Sequence, residues 1–152
     1  IKYIIEKNPY GTAGSLRLLK KRPLTPIIVC NGDVLSNLNY DDLLDFHNKK
    51  KSDLTIVVRN LIHKNPYGVV NLNKNRVASL DEKKDIVMNI NAGIYIINPK
   101  VLKLLKLKKM DMPDFINLLI KRGKKIFSFP LKDNWIDVGT KKNLKLSKKY
   151  IN

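Results

Sequence analysis

The chain has 152 residues, 43% of them hydrophobic, and 30 Lys and Arg against 13 Asp and Glu give it a formal net charge of +17. That length and composition suit one globular core, or part of one. No apolar run nears the roughly 18 residues of a membrane helix and no signal-peptide pattern opens the sequence, so we expect a cytoplasmic protein. A lone cysteine, Cys30, excludes an intrachain disulfide, and two histidines, His47 and His63, with no cysteine pair argue against zinc. The charge invites a nucleic-acid reading. Yet the cations gather at predicted helix ends, in Lys20-Lys21-Arg22, Lys49-Lys50-Lys51, Lys121-Arg122 and Lys148-Lys149, where they complement the helix dipole and stay solvated. A nucleic-acid module would interleave stacking aromatics with the lysines, and the aromatics here fall mostly on predicted apolar faces, which also argues against nucleic acid. A basic field of this size still concentrates phosphorylated substrates.

Lys2–Glu6 alternates like a strand, and Asn8-Pro9-Tyr10-Gly11 breaks it. Leu16 and Leu19 then predict a helix from Ala13 to about Arg22, closed by Pro23. Gly11-Thr12-Ala13-Gly14 would lie between strand and helix with free N–H groups, a place that can take a phosphate or a base. Pro26-Ile27-Ile28-Val29-Cys30-Asn31-Gly32-Asp33 is a continuous apolar run ending at a carboxylate, and predicts a strand buried on both faces with Cys30 inside it. Ligands collect beyond the carboxyl ends of such strands. Asp33 offers hard oxygen ligands suited to Mg²⁺, although Asn-Gly-Asp is equally a turn that caps a strand.

Asn39 caps a helix with Asp41 and Asp42 in its first turn and Leu43, Leu44 and His47 inward, running to about Lys50. Asp53–Arg59 is extended, as is the segment from Pro66 to Val70. Asn73-Lys74-Asn75 turns the chain into Val77–Leu80, and the unit ends at Asp81-Glu82-Lys83. Asn91–Ile97 is a second apolar strand. Asn98-Pro99 starts a helix through Leu105, and Asp111-Met112-Pro113 starts another carrying Phe115, Ile116, Leu119 and Ile120, closed by Gly123. Lys125–Pro130 is extended, and Thr140 caps a last helix reaching Tyr150. The order is α/β, with hairpins inserted in the second half.

Five patches in one order, Gly11–Gly14, Asn31-Gly32-Asp33, Pro66-Tyr67-Gly68-Val69, Glu82-Lys83 with Asn91–Tyr95, and Trp135–Thr140, resemble the sugar-1-phosphate nucleotidyltransferases, the nucleoside-diphosphate-sugar pyrophosphorylases. The resemblance runs from about Tyr3 to Tyr150 and leans toward the guanylyltransferases. It implies a partial Rossmann-like mixed sheet of the glycosyltransferase-A-like type. The activity it implies is transfer of a nucleotidyl group from a nucleoside triphosphate to a sugar 1-phosphate, with Mg²⁺ and release of pyrophosphate. It makes Asp33 and Asp137 the metal ligands and catalytic carboxylates, and gives Lys83 the sugar phosphate and Glu82 the sugar hydroxyls. Tyr67, Gly68, Asn91, Ala92 and Gly93 would line the sugar pocket, and Gly11, Thr12 and Ala13 would meet the nucleotide. Glu6, where uridylyl- and thymidylyltransferases of the family typically carry Gln, can accept the adjacent N1–H and N2–H donors of guanine, which favours GTP.

Two departures stand out. The family often has Glu-Lys-Pro where this chain has Glu82-Lys83-Lys84. The family's glycine-rich N-terminal signature has no counterpart after Ile1, so residues 1–152 are expected to be the second part of a single domain, inactive alone, whose open strand edges a partner, a second copy or the missing peptide would cover. The rival readings are a basic nucleic-acid module and a non-catalytic remnant of the transferase fold.

Overall fold

The apolar run Ala92–Ile97 organises the fold, because its alternate side chains feed two separate cores. In the computed structural model, which describes residues 1–19, 21–106, 108–132 and 134–148, this run is the buried end of a strand, β6 (Ile86–Ile97). Tyr95 and Ile97 pack on one face with Leu54, Phe115 and Leu119, while Ala92, Ile94 and Ile96 pack on the other with Leu43 and Val57. That is the period-2 alternation of a strand covered on both sides.

Before it in the chain come α1 (Gly11–Gly14), a 3₁₀ turn over Ser15–Leu18, β1 (Ile27–Cys30), β2 (Val34–Ser36), α2 (Tyr40–Lys49), β3 (Leu54–His63), β4 (Val69–Asn73) and β5 (Arg76–Asp81). After it come α3 (Pro99–Leu102), α4 (Met112–Lys121), β7 (Ile126–Pro130), β8 (Trp135–Asp137) and α5 (Lys141–Ser147). The main sheet has the order β1-β6-β3-β7; β6 is antiparallel to both neighbours and β7 is parallel to β3. It is therefore a mixed α/β sheet, with α2 on one face and α3 and α4 on the other. Two ribbons stand apart from it, β2 with β8 and β4 with β5.

Local signals account for the helix starts. Asn39 Oδ1 accepts from Asp41 N at 2.9 Å and Asn98 Oδ1 from Lys100 N at 3.1 Å. Gly123, at φ +63°, follows the end of α4. Buried Asp53 ties three elements together, accepting from Lys125 N at 2.8 Å and pairing with Lys100 at 2.7 Å. Burial would raise its carboxyl, but these partners outweigh that and hold it below its ordinary range.

Several expectations are corrected. Residues 2–6 form no strand but an exposed segment, and the helix expected from Ala13 to Arg22 is only the short turn ending at Leu18. β1 is an edge strand, not one buried on both faces, since β6 is its sole partner among the described residues and Ile28 is 46% exposed. Cys30 is exposed at its end. Partial burial, then the charge of Asp33, raises its thiol, which does not suit a nucleophile. The expected end of the last helix, Tyr150, lies outside the described residues. His47, read as a packing residue, is buried with Nδ1 2.8 Å from Thr55 Oγ1.

Candidate active site

The two carboxylates expected to act together lie 104 positions apart in the sequence, and the β2–β8 ribbon brings them side by side. Asp33 immediately precedes β2, Asp137 ends β8, and the antiparallel register sets Val34 opposite Asp137. Val138 N donates to Asp33 O at 2.8 Å, which holds the two strand ends together. Gly139 N donates to Asp137 Oδ1 at 2.7 Å, and Asn143 Nδ2 donates to the Asp137 carbonyl at 2.7 Å. Thr140 caps α5 by accepting from Asn143 N at 3.1 Å, so the helix start positions that asparagine.

The pair converges on Gly139. A Cβ placed there would lie 2.9 Å from Asp137 Oδ1 and 3.5 Å from Asp33 Oδ2, so both carboxylates face the space that a side chain would fill. Both are exposed. Among the described residues no third His, Cys, Asp or Glu joins them in a metal-sized group. Two carboxylates with open space fit Mg²⁺, which keeps several waters and is completed by substrate phosphates.

A bulge beside the pair explains why small residues are needed there. Ile56 pairs with Tyr95 and Val58 with Asn91, so Ala92, Gly93 and Ile94 together oppose Val57. Gly93 has φ +74°, and a Cβ on it would lie 2.8 Å from Asn31 Nδ2. Asn31 N donates to Gly93 O at 2.9 Å and Trp135 Nε1 to Ala92 O at 2.9 Å. The bulge thus joins the expected sugar residues to the turn carrying Asp33. Asn91 is already engaged, accepting from Gly93 N at 3.0 Å and donating to Tyr95 Oη at 2.6 Å.

On the β4–β5 ribbon, a Cβ on Gly68 would lie 3.5 Å from Glu82 Oε2, so Gly68 and Glu82 are neighbours, and Tyr67 is 75% exposed beside them. Lys83 has φ +48°. Lys84 occupies the place of the family's proline and pairs with Asp81 at 3.2 Å. Asn71 and Lys84 together hold the Asp81 carboxyl below its ordinary range. Among the described residues no hydrogen bond or ion pair joins Glu82 or Lys83 to the carboxylate pair.

The Gly11–Gly14 segment is corrected in one respect: the N–H groups of Thr12, Ala13 and Gly14 are not free. Thr12 N donates to Asp111 Oδ1 at 3.2 Å, and Ala13 N and Gly14 N donate to Met110 O at 3.1 and 3.0 Å. In return Thr12 Oγ1 accepts from Met112 N at 2.8 Å and so caps α4, whose own Asp111 makes no side-chain cap. The segment clamps a helix start, and these three amides are spent on that. Glu6 accepts from Tyr10 N at 2.9 Å; the Ser15 hydroxyl, then this amide, keep its carboxyl below the ordinary range.

The comparisons with known proteins follow the same pattern. The family described as nucleotidyl transferase matches residues 1–151. This chain belongs to the nucleotidyl transferase family. It is 34% identical over 151 residues to the mannose-1-phosphate guanyltransferase of Debaryomyces hansenii, and 36% and 34% identical to those of Aspergillus oryzae and Saccharomyces cerevisiae. Each alignment covers 94% of this chain and 42% of the relative, so the chain spans less than half the length of the curated relatives it matches. Among solved structures, a Bacillus anthracis protein assigned as a glucose-1-phosphate thymidylyltransferase, in complex with a sucrose, superimposes with a TM-score of 0.72 at 20% identity, over 98% of this chain and 64% of that one. HddC from Yersinia pseudotuberculosis complexed with GMP-PN gives 0.67 at 23%, over 98% and 66%. At such identities the likeness establishes the shared fold, the glycosyltransferase-A-like sheet.

For a nucleotidyl transferase chain, the sequence reading overlooked three residues. Asn143, three positions beyond the Trp135–Thr140 patch, supports the Asp137 backbone, and Gly139, inside the patch but given no role of its own, leaves room for the pair. Arg59 reaches Trp135 from another strand, and its one signal was a cation closing an apolar run.

Proposed function

We propose that the full-length polypeptide joins a nucleoside triphosphate to a sugar 1-phosphate, giving a nucleoside-diphosphate sugar and pyrophosphate. A phosphate oxygen of the sugar attacks the α-phosphorus, a new P–O bond forms there, and the bond to the bridging oxygen of pyrophosphate breaks. Both reactants are anions, so catalysis is positioning and charge neutralisation, without a protein nucleophile. The observation that carries this reading is the convergence of Asp33 and Asp137 over Gly139. Mg²⁺ held by this pair would neutralise phosphate charge.

The chain's own residues supply the rest. Lys83 holds the sugar phosphate as a point charge, Glu82 accepts from sugar hydroxyls, and Tyr67, Gly68, Asn91, Ala92 and Gly93 shape the sugar pocket. Glu6, kept ionised by its neighbours, accepts from guanine, which together with the curated guanyltransferase relatives favours GTP and mannose 1-phosphate as the first substrates to try.

The test is pyrophosphate release by the full-length polypeptide with GTP, UTP and dTTP, each against mannose, glucose and N-acetylglucosamine 1-phosphates. Asp33→Asn and Asp137→Asn should each lower kcat by about 10²-fold or more, as loss of a preorganised charge stabiliser does. Turnover within tenfold of the parent in both variants would remove the metal pair from the reaction. Glu6→Gln should narrow the preference for GTP, and an unchanged preference would free Glu6 of that role.

A further inference from the structure

The β2–β8 ribbon has three residues in each strand, too few to hold itself in place in water. Yet it carries both carboxylates, so what fixes it to the main sheet sets their aim. One tie is Arg59 on β3. Its Nη1 donates to the Trp135 carbonyl at 3.0 Å, and its guanidinium lies 5.7 Å from the centre of the Trp135 ring. The indole Nε1–H in turn donates to the carbonyl of Ala92, in the β6 bulge, at 2.9 Å. Trp135 and Asp137 are two residues apart on one strand, so they share a face and move together.

We propose that Arg59 is a positioning residue: by clamping the Trp135 peptide and ring between β3 and β6, it holds β8 in the register that aims Asp137 with Asp33 at one ion. This rests on the metal-pair reading above. The planar guanidinium suits the task because it can donate in its plane and stack on an aromatic face at once, which an ammonium does less well. The three atoms nearest to a Cβ on Gly139 belong to Asp137 and Asp33, so Arg59 acts through Asp137 and not by contact with the ion.

The experiment counts bound Mn²⁺, as a stand-in for Mg²⁺, by the loss of its free-ion EPR signal on the full-length polypeptide, with urea unfolding in parallel. Arg59→Met should weaken Mn²⁺ binding about 10–100-fold, the range for removing support behind metal ligands, with a parent-like unfolding midpoint, and Arg59→Lys should recover part of it. Trp135 is the only tryptophan within residues 1–152, and in the difference between the emission of the parent and of Arg59→Met its contribution should shift to the red as the ring is released. Weakening below tenfold in folded Arg59→Met overturns the proposal, while loss of binding in Asp137→Asn in the same series leaves the metal pair standing. Parent-like binding by both Asp33→Asn and Asp137→Asn overturns the metal pair and the proposal with it. If Arg59→Met does not fold, Arg59→Lys decides: it keeps the stem and the charge but not the planar fork that reaches the Trp135 carbonyl, and parent-like Mn²⁺ binding overturns the proposal.

Discussion

Replacing Gly139 by alanine separates the carboxylate pair from the rest of the fold. The new Cβ would lie 2.9 Å from Asp137 Oδ1, the oxygen that also accepts from Gly139 N at 2.7 Å. Carbon–oxygen contacts become comfortable at about 3.3–3.6 Å, so the carboxylate must retreat by about half an ångström and loosen its own anchor. Asp33 Oδ2, at 3.5 Å from the same point, stays where it is. Mg²⁺ demands near-ideal oxygen geometry at about 2.0–2.1 Å, and a site tolerates misplacement of only about 0.5 Å. We therefore expect Gly139→Ala to weaken Mg²⁺ binding about 10–100-fold. Its unfolding free energy should stay within about 0.5 kcal/mol of the parent, because position 139 is exposed and outside the cores. Calorimetric titration with Mg²⁺ beside urea unfolding measures both. Gly123→Ala is the matching control. Position 123 has φ +63° with open space around it, so alanine there should cost about 1–2 kcal/mol of stability and leave Mg²⁺ affinity alone. Parent-like Mg²⁺ affinity in folded Gly139→Ala, with binding lost in Asp137→Asn, would refute the idea that the two carboxylates converge over Gly139.

Two further outcomes follow from the fold. Thr12→Val removes the hydroxyl that accepts from Met112 N and should cost about 1 kcal/mol in urea unfolding, the usual value of a helix cap, with Mg²⁺ affinity unchanged; a stability equal to the parent would mean that Thr12 does not cap α4. His47 is held below the ordinary histidine value of 6.5, chiefly by burial, with Asp53 opposing and Lys100 adding to the lowering. The folded state therefore binds its proton less readily than the unfolded chain, and His47's share of stability is whole above pH 6.5 and lost as pH falls through the depressed value. His47→Gln should flatten the fall in stability on acidification just below pH 6.5; an unchanged slope in urea unfolding across that window would place the titration elsewhere.

What was legible in the sequence was whatever a few adjacent residues decide. Asn39 and Asn98 cap helices because a side-chain oxygen reaches an amide two residues on. The turn at Asn73-Lys74-Asn75 closes a hairpin, with Lys74 at φ +54°. The continuous apolar run Asn91–Ile97 foretold a strand, and the five short patches were sufficient for the family. Partners distant in the chain were decided only by the tertiary structure. Nothing near Gly11–Gly14 shows that the amides of Thr12, Ala13 and Gly14 are claimed by Met110 and Asp111 some hundred residues later, so they were read as free. The edge position of β1 depends on which strands pair with it, a matter of sheet order, which apolar content does not encode. The space over Gly139 exists because β8 is short, pairs in register with β2, and is braced by an arginine from a strand some 75 residues upstream in the sequence. Residue types can nominate Asp33 and Asp137, but carboxylates act on an ion only at a set distance and angle, and that geometry is a property of the packed sheet.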